Sequence, residues 1–341
     1  MNATVVRAGR RSRARRNIAV IITLTAALSA VFAISLMIGN TFYGPGEVIR
    51  VVLGESVPGA SFTVGELRLP RSVLAVLAGF AFGMAGVTFQ TMLRNPLASP
   101  DIIGISSGAS VAAVFAIVVL SLSETLVSVF ALGGALATAI AIYLLSNKGG
   151  LSGTRLILIG IGVAAMLDSV ITYILSKAPA WDLQAAMRWL TGSLNGASWQ
   201  VVLPFALASA VLVPALLSQS RNLGMLRLGD DSAAGLGVRV SSTRIILILT
   251  AVALLAFATA ATGPIAFVAF MAGPIAARVM GGGASLLVPA GLIGALLVST
   301  SDLVGQFAFD NRYPVGVITG VLGAPYLIFL LIRTNRSGAS L

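Results

Sequence analysis

Apolar runs of about twenty residues alternate along the chain with short polar or Gly/Pro punctuation. They fall near 18–38, 70–93, 103–121, 125–146, 155–176, 199–218, 244–262, 265–280, 286–305 and 315–333. One helix crosses a hydrocarbon layer with about 20 consecutive apolar residues, so the pattern predicts ten spans. Two stretches depart from it. RNPLASPDIIG at 94–104 carries two prolines, each of which removes a backbone donor and pushes the preceding residue away from helical geometry. The run at 265–280 is short and interrupted by Gly273-Pro274. Non-helical backbone at membrane depth is tolerated only where it is buried in protein or lines a water-filled cavity. Paired interruptions in two halves of a chain point to a transport pathway, although the halves here are too dissimilar to be named a repeat.

Composition identifies the solvent. The 341 residues are 57% hydrophobic and 10% charged, with a mean hydropathy of +0.99, which excludes a soluble core and indicates an all-α integral membrane protein. Cysteine and histidine are absent. That removes disulfides, thiolate catalysis and imidazole ligands, and no metal site is expected. The net charge of +11 could suggest nucleic acid, but the basic residues flank the apolar runs. With ten spans and the amino end inside, 16 of the 22 Lys and Arg fall on the inner side, six of them in the N-terminal tail. This positive-inside bias predicts a basic cytoplasmic tail at 1–17, a single membrane domain at 18–333 and a cytoplasmic tail at 334–341. The run after the basic tail shows no small-x-small cleavage pattern and is expected to remain as the first helix.

Few residues offer chemistry. Asp168 sits in the middle of a span, where a carboxylate is costly unless it meets a cavity or a partner, so it is either a pathway residue or a hydrogen-bonded packing residue. Gly79, Gly83 and Gly86 recur at three- and four-residue spacing and suit close helix packing. The stretch LRLGDDSAAGLGV at 226–238 reads as a short helix, with Asp230 or Asp231 capping its amino end and Gly237 closing it in a left-handed conformation. One or two turns are unstable alone in water, so this segment calls for a partner surface. It lacks the alternating oxygen ligands of a calcium loop. A Gly-Lys-Ser/Thr phosphate loop is also absent, so any ATP hydrolysis belongs to another subunit.

Five strings occur in one order: LRLPR (67–71), GxxxQxxLRNPLAxPxxxGxxxGA (86–109), LGDDSAAGLGV (228–238), GPIAFVAF (263–270) and PVGVITGVLGAPYLIFLL (314–331). In this order and spacing the chain resembles the FecCD family, the permease subunits of ABC importers for ferric siderophores, haem and cobalamin. The resemblance implies a ten-transmembrane-helix ABC importer permease of the cobalamin-importer type, set in the bacterial cytoplasmic membrane with both termini cytoplasmic. It implies a cytoplasmic coupling loop at about 219–243 that docks on the ATPase through Leu228, Gly229, Asp230, Asp231, Ala234, Leu236 and Gly237. It also places Arg68 and Arg71 at the outer rim that receives an extracytoplasmic substrate-binding protein. Arg312 joins them, because Gln306 stands four residues after Asp302 where the family often has arginine. Lys177 and Arg188 are weaker candidates for that rim. Gln90, Asn95 and Asp168 are the pathway candidates. At Gly273-Pro274 the family commonly has Pro-His, and the register puts Ala277 at the family's arginine with Arg278 one place later.

What the resemblance implies is a transport subunit and not an enzyme. No cofactor is expected on this chain, with ATP and Mg on two copies of the partner ATPase and a second permease, a paralogue favoured over an identical chain, completing the membrane part. An iron-siderophore complex is the expected cargo, with cobalamin or haem as the alternative. An ion-coupled secondary transporter using Asp168 and Asp302 is the rival from another class.

Overall fold

The computed structural model describes residues 3–99, 104–146, 153–281 and 285–336. Fifteen helical segments make up the architecture of these residues. They are α1 (Ala3–Met37), α2 (Pro45–Val52), a π-helical turn (Ser61–Arg68), α3 (Leu69–Met92), α4 (Ile105–Val118), α5 (Glu124–Ser146), α6 (Gly153–Lys177), α7 (Ala180–Leu190), α8 (Trp199–Ser218), α9 (Ser220–Leu226), α10 (Asp230–Gly235), α11 (Val240–Thr262), α12 (Val268–Met280), α13 (Leu287–Phe307) and α14 (Val315–Arg336). Among the described residues, eight stretches are long and apolar enough to cross a membrane. Two more apolar helices, α4 and α12, have 14 and 13 residues. Each predicted run therefore meets a helix. The short α2 and α7 lie in segments the hydropathy pattern had left as connections.

In the centre, α3 packs against α11, α12 and α13, and 78% of its most apolar stretch is buried, against 6% for α1 and 11% for α6. The spacing of small residues explains the close approach. A methyl group on Gly79 would overlap the carbonyl of Gly294, and one on Gly86 would overlap that of Ala269. Without a hydrophobic driving force between helices in lipid, such backbone proximity supplies the packing that holds the bundle together. The outer helices keep large apolar side chains exposed, among them Leu158, Met166 and Tyr173 on α6, as lipid or another subunit requires.

Two irregularities correct or refine the sequence reading. The helix α12 runs through Pro274 without ending, so the break in this region lies upstream, where Gly263 and Phe267 adopt positive φ. Phe267 is held in that strained conformation against Gly323, where a methyl group would overlap its ring. In the proline-containing stretch, residues 93–99 are indeed non-helical and Arg94 has φ 52. Residues 100–103 of that stretch lie outside the described residues.

Contacts place six of the described arginines at two ends of the bundle. At one end Arg16 donates to the carbonyl of Val279 at 3.2 Å, while Arg94, Arg227 and Leu286 line a single cavity. At the other, Arg68 reaches the end of α1, Arg71 reaches Asn195, and Arg312 reaches Asn40. At 1.5 Å per residue α1 is about 52 Å long. It exceeds a hydrocarbon core of about 30 Å, and its surplus is the arginine-rich first half.

Candidate functional site

The segment from 219 to 243 is built as two short helices joined by a glycine hinge. Gly229, with φ 101, is the residue before the first turn of α10. No side chain caps that turn, which corrects the expectation that Asp230 or Asp231 would. Both aspartates instead lie inside the first turn, where negative charge suits the exposed amide groups. The Asp230 carboxylate accepts from Arg244 Nη2 at 2.8 Å, which ties α10 to the start of α11. Asp231 is exposed. At the far end Gly237, with φ 87, does take the left-handed position. Its amide donates to the Ala234 carbonyl at 2.9 Å and that of Val238 to Ala233 at 3.0 Å. This double bond pattern closes a helix and buries Val238 beside Ala233. Outward, α10 offers Ala234 and is flanked by Leu228 and Leu236, 64% and 59% exposed.

At the opposite end the predicted rim arginines do different work from one another. The guanidinium of Arg68 donates to the carbonyls of Leu36 at 2.9 Å, Met37 at 3.0 Å and Thr41 at 2.6 Å, and lies 5.0 Å from the centre of the Tyr43 ring. It closes the carbonyl-rich end of α1. Arg71 grips Asp302 with a two-pronged fork, Nε to Oδ2 at 2.9 Å and Nη2 to Oδ1 at 2.7 Å, while Nη1 donates to Asn195 Oδ1 at 2.8 Å. Gln306 adds a further bond to Asp302 at 2.7 Å. The glutamine that departs from the family's arginine therefore serves the aspartate four residues before it. Arg312 is exposed and bonded to Asn40 at 2.9 Å. Arg188 lines a neighbouring cavity of about 330 Å³ together with Glu124, Trp189, Asn195 and Gln200. Lys177 ends α6.

The pathway candidates do not gather in one place. Gln90 is buried on α3 and donates to the Phe270 carbonyl at 2.9 Å. Asn95 accepts the Leu97 amide at 2.9 Å within its own turn. Both line a cavity of about 310 Å³ with Arg94, Arg227, Gly273 and Pro274. Asp168 stands apart, exposed on α6 between Met166 and Tyr173. Reasoning from sequence missed the Arg71–Asp302 pair, whose partners are 231 residues apart. Only the four-residue spacing of Asp302 and Gln306 hinted at part of it. Among the described residues no three His, Cys, Asp or Glu side chains form a metal-binding group.

The FecCD transport family matches residues 27–333 of the chain. The ferric enterobactin transport system permease protein of Escherichia coli strain K12 is 40% identical over 291 residues, covering 85% of this chain and 88% of its own length. The achromobactin transport system permease protein of Dickeya dadantii strain 3937 is 40% identical over 311 residues, covering 90% and 89%. Among solved structures, a metal-chelate type ABC transporter in an inward-facing conformation superposes with a TM-score of 0.82 at 26% identity, over 92% of this chain and 98% of that one.

Proposed function

Because the chain belongs to the FecCD transport family, we propose that it is the permease subunit of an ATP-driven importer that carries an iron-siderophore complex across a bacterial cytoplasmic membrane. The observation that carries this reading is the 40% identity, over nearly the full length of each partner, to permeases named for ferric enterobactin and achromobactin. Both termini face the cytoplasm in this reading. α4 and α12 count as spans, for a total of ten, in the arrangement of the cobalamin importers.

The 219–243 segment then lies inside, and its α10 is the surface that meets the ATPase. Its exposed Leu228 and Leu236 supply apolar contact, and Gly229 and Gly237 fix the direction in which α10 points. Asp230 holds the segment to α11 through Arg244, so a push on α10 reaches a membrane helix directly. Two ATPase copies closing on ATP and Mg would deliver that push, and the membrane part would alternate between outward- and inward-open forms.

At the outer end, Arg312 is the arginine of the rim most available to carboxylates of a binding protein. Arg68 and Arg71 shape the rim by fixing α1, α3 and α13 relative to one another. Charge at such a rim acts mainly on encounter and orientation. Asp168 on the exposed face of α6 supports a second permease packed there, because a mid-span carboxylate facing lipid is costly. A paralogous partner is proposed over an identical chain. Asp168 lines the path where the two chains meet, and Gln90 and Asn95 stand at its inner end.

The test is uptake of ⁵⁵Fe by cells deleted for the gene and complemented with it, supplied in turn with ferric enterobactin, ferric achromobactin and ferric citrate, with radiolabelled cobalamin and haem in parallel. Restored, ATPase-dependent uptake of at least one iron-siderophore complex is expected. Restoration of cobalamin or haem uptake alone overturns the cargo, and uptake that survives loss of the ATPase overturns the mechanism.

A further inference from the structure

Pro274 lies inside α12. Proline carries no amide hydrogen, so the carbonyl four residues earlier, that of Phe270, lacks the donor an uninterrupted helix would give it. The carboxamide of Gln90 stands in its place: Nε2 donates to the Phe270 carbonyl at 2.9 Å from α3, 180 residues away. Gln90 is only 6% exposed. The neighbouring position is glycine, and a Cβ on Gly273 would collide with Gln90 Oε1. A missing donor, a replacement donor and the room to admit it thus come from three residues on two helices.

The same unit borders a space. Gln90, Gly273, Pro274 and Ala277 form part of the wall of the 310 Å³ cavity, and another part is Arg227, which joins α9 to α10. Beyond the proline, the last turn of α12 makes contacts with α1 and α14. Arg16 donates to Val279 O at 3.2 Å, and Arg278 sits 4.9 Å from the ring centre of Phe329.

We propose that Gln90 is a positioning residue for transport, which sets the direction of the 275–280 half of α12 by supplying the hydrogen bond that Pro274 withholds. With an ordinary residue at 274 that turn would be closed within α12. With proline the closing bond crosses to α3, so relative movement of α3 and α12 opens it without breaking a bond inside either helix. The cavity gives the half-helix room to move, and Arg227 brings the 219–243 segment to its edge. The link to transport rests on the permease reading above; the hydrogen-bond exchange between Gln90 and Pro274 does not.

Two measurements on the full chain separate these parts. In lipid nanodiscs, hydrogen–deuterium exchange of peptides covering 268–280 is compared for the parent, Gln90→Leu, Pro274→Ala and the double variant. One polar contact between membrane helices corresponds to about a threefold to twentyfold change in protection. Gln90→Leu should speed exchange by about that factor. The double variant should return to parental protection, because alanine at 274 brings an amide to the Phe270 carbonyl. Unchanged exchange in Gln90→Leu, or a double variant as labile as the single one, overturns the proposal. If Gln90→Leu yields no folded protein, recovery of folded protein in the double variant supports it and failure of both overturns it.

The second measurement uses the absence of cysteine from the chain. Spin labels at position 221, exposed on α9, and at position 279 report the distance change when the transporter, assembled with its ATPase, is trapped with ATP and vanadate. Pro274→Ala should reduce that change by at least half, and an undiminished change overturns the role in transport. Failure of any ATPase to assemble would count against the permease reading while leaving the exchange result standing.

Discussion

Replacing Arg71 with methionine tests the strongest electrostatic claim made by the structure. The substitution removes the fork on Asp302 and the bond to Asn195, leaving the aspartate with the amide of Gln306. The Asp302 side chain is 9% exposed and that of Arg71 22%. Breaking a fully buried pair by removing one partner costs about 3–5 kcal/mol, because an uncompensated charge stays behind. Since the arginine is about a fifth exposed, water can reach part of the site, and about 2–3 kcal/mol is the expected loss. Converting the aspartate as well, in Arg71→Met with Asp302→Asn, should recover at least half of it, since no charge is stranded. The control is Arg50→Met. That arginine also meets a carboxylate, Glu55, at 2.6 Å, but both side chains are more than half exposed, and the expected effect is below about 1 kcal/mol. Equilibrium unfolding of the purified protein in mixed micelles of dodecyl sulfate and mild detergent reads the parent and the three variants on one scale. If Arg71→Met costs no more than Arg50→Met, or if the double variant is as unstable as the single one, burial does not govern this pair and the reasoning fails.

Three other outcomes are expected. Gly237→Ala should destabilise the 219–243 segment by about 1 kcal/mol, because a left-handed residue there gains a Cβ. Gly235→Ala, with equally open space and no positive φ, should be neutral or slightly stabilising; limited proteolysis of the segment would compare the two, and equal rates would refute the conformational argument. Leu228→Glu with Leu236→Glu should leave the thermal unfolding midpoint in detergent unchanged while the amount of co-purified ATPase falls at least tenfold, and undiminished capture would remove α10 from the proposed contact. Gly86→Leu should eliminate the monodisperse peak in fluorescence-detected gel filtration, since its side chain would enter the backbone of α12 at Ala269; a normal peak would show that the helices can separate at little cost.

Much of this molecule was readable in its sequence. Among the described residues the apolar runs located the eight helices long enough to cross a membrane, because their lengths answer to the thickness of a bilayer and need no knowledge of neighbours, and they also marked the shorter α4 and α12. Gly237 was readable because its left-handed backbone is a local demand. Gly79, Gly83 and Gly86 were readable because helix geometry alone places them on one stripe. The Asp230 and Asp231 reading went astray at the next level. A helix cap is a local motif, but Gly229 already supplied the entry geometry, and Arg244 offered Asp230 a charged partner fourteen residues away. The Gly273-Pro274 reading failed for a related reason. Proline weakens a helix by leaving a carbonyl without its donor, and Gln90 on α3 supplies one, so the helix continues.

The chain by itself therefore determined its solvent, its long apolar helices and the family to which it belongs. Each of these depends on composition, on periodicity or on a contiguous string. Only the tertiary structure decided that Arg68 closes the end of α1, that Arg71 and Asp302 join two helices, and that Gln90 completes a turn of α12. Such pairings depend on how far one helix slides and rotates against another. That register is set by many small contacts summed over whole interfaces, and no single stretch of residues carries it.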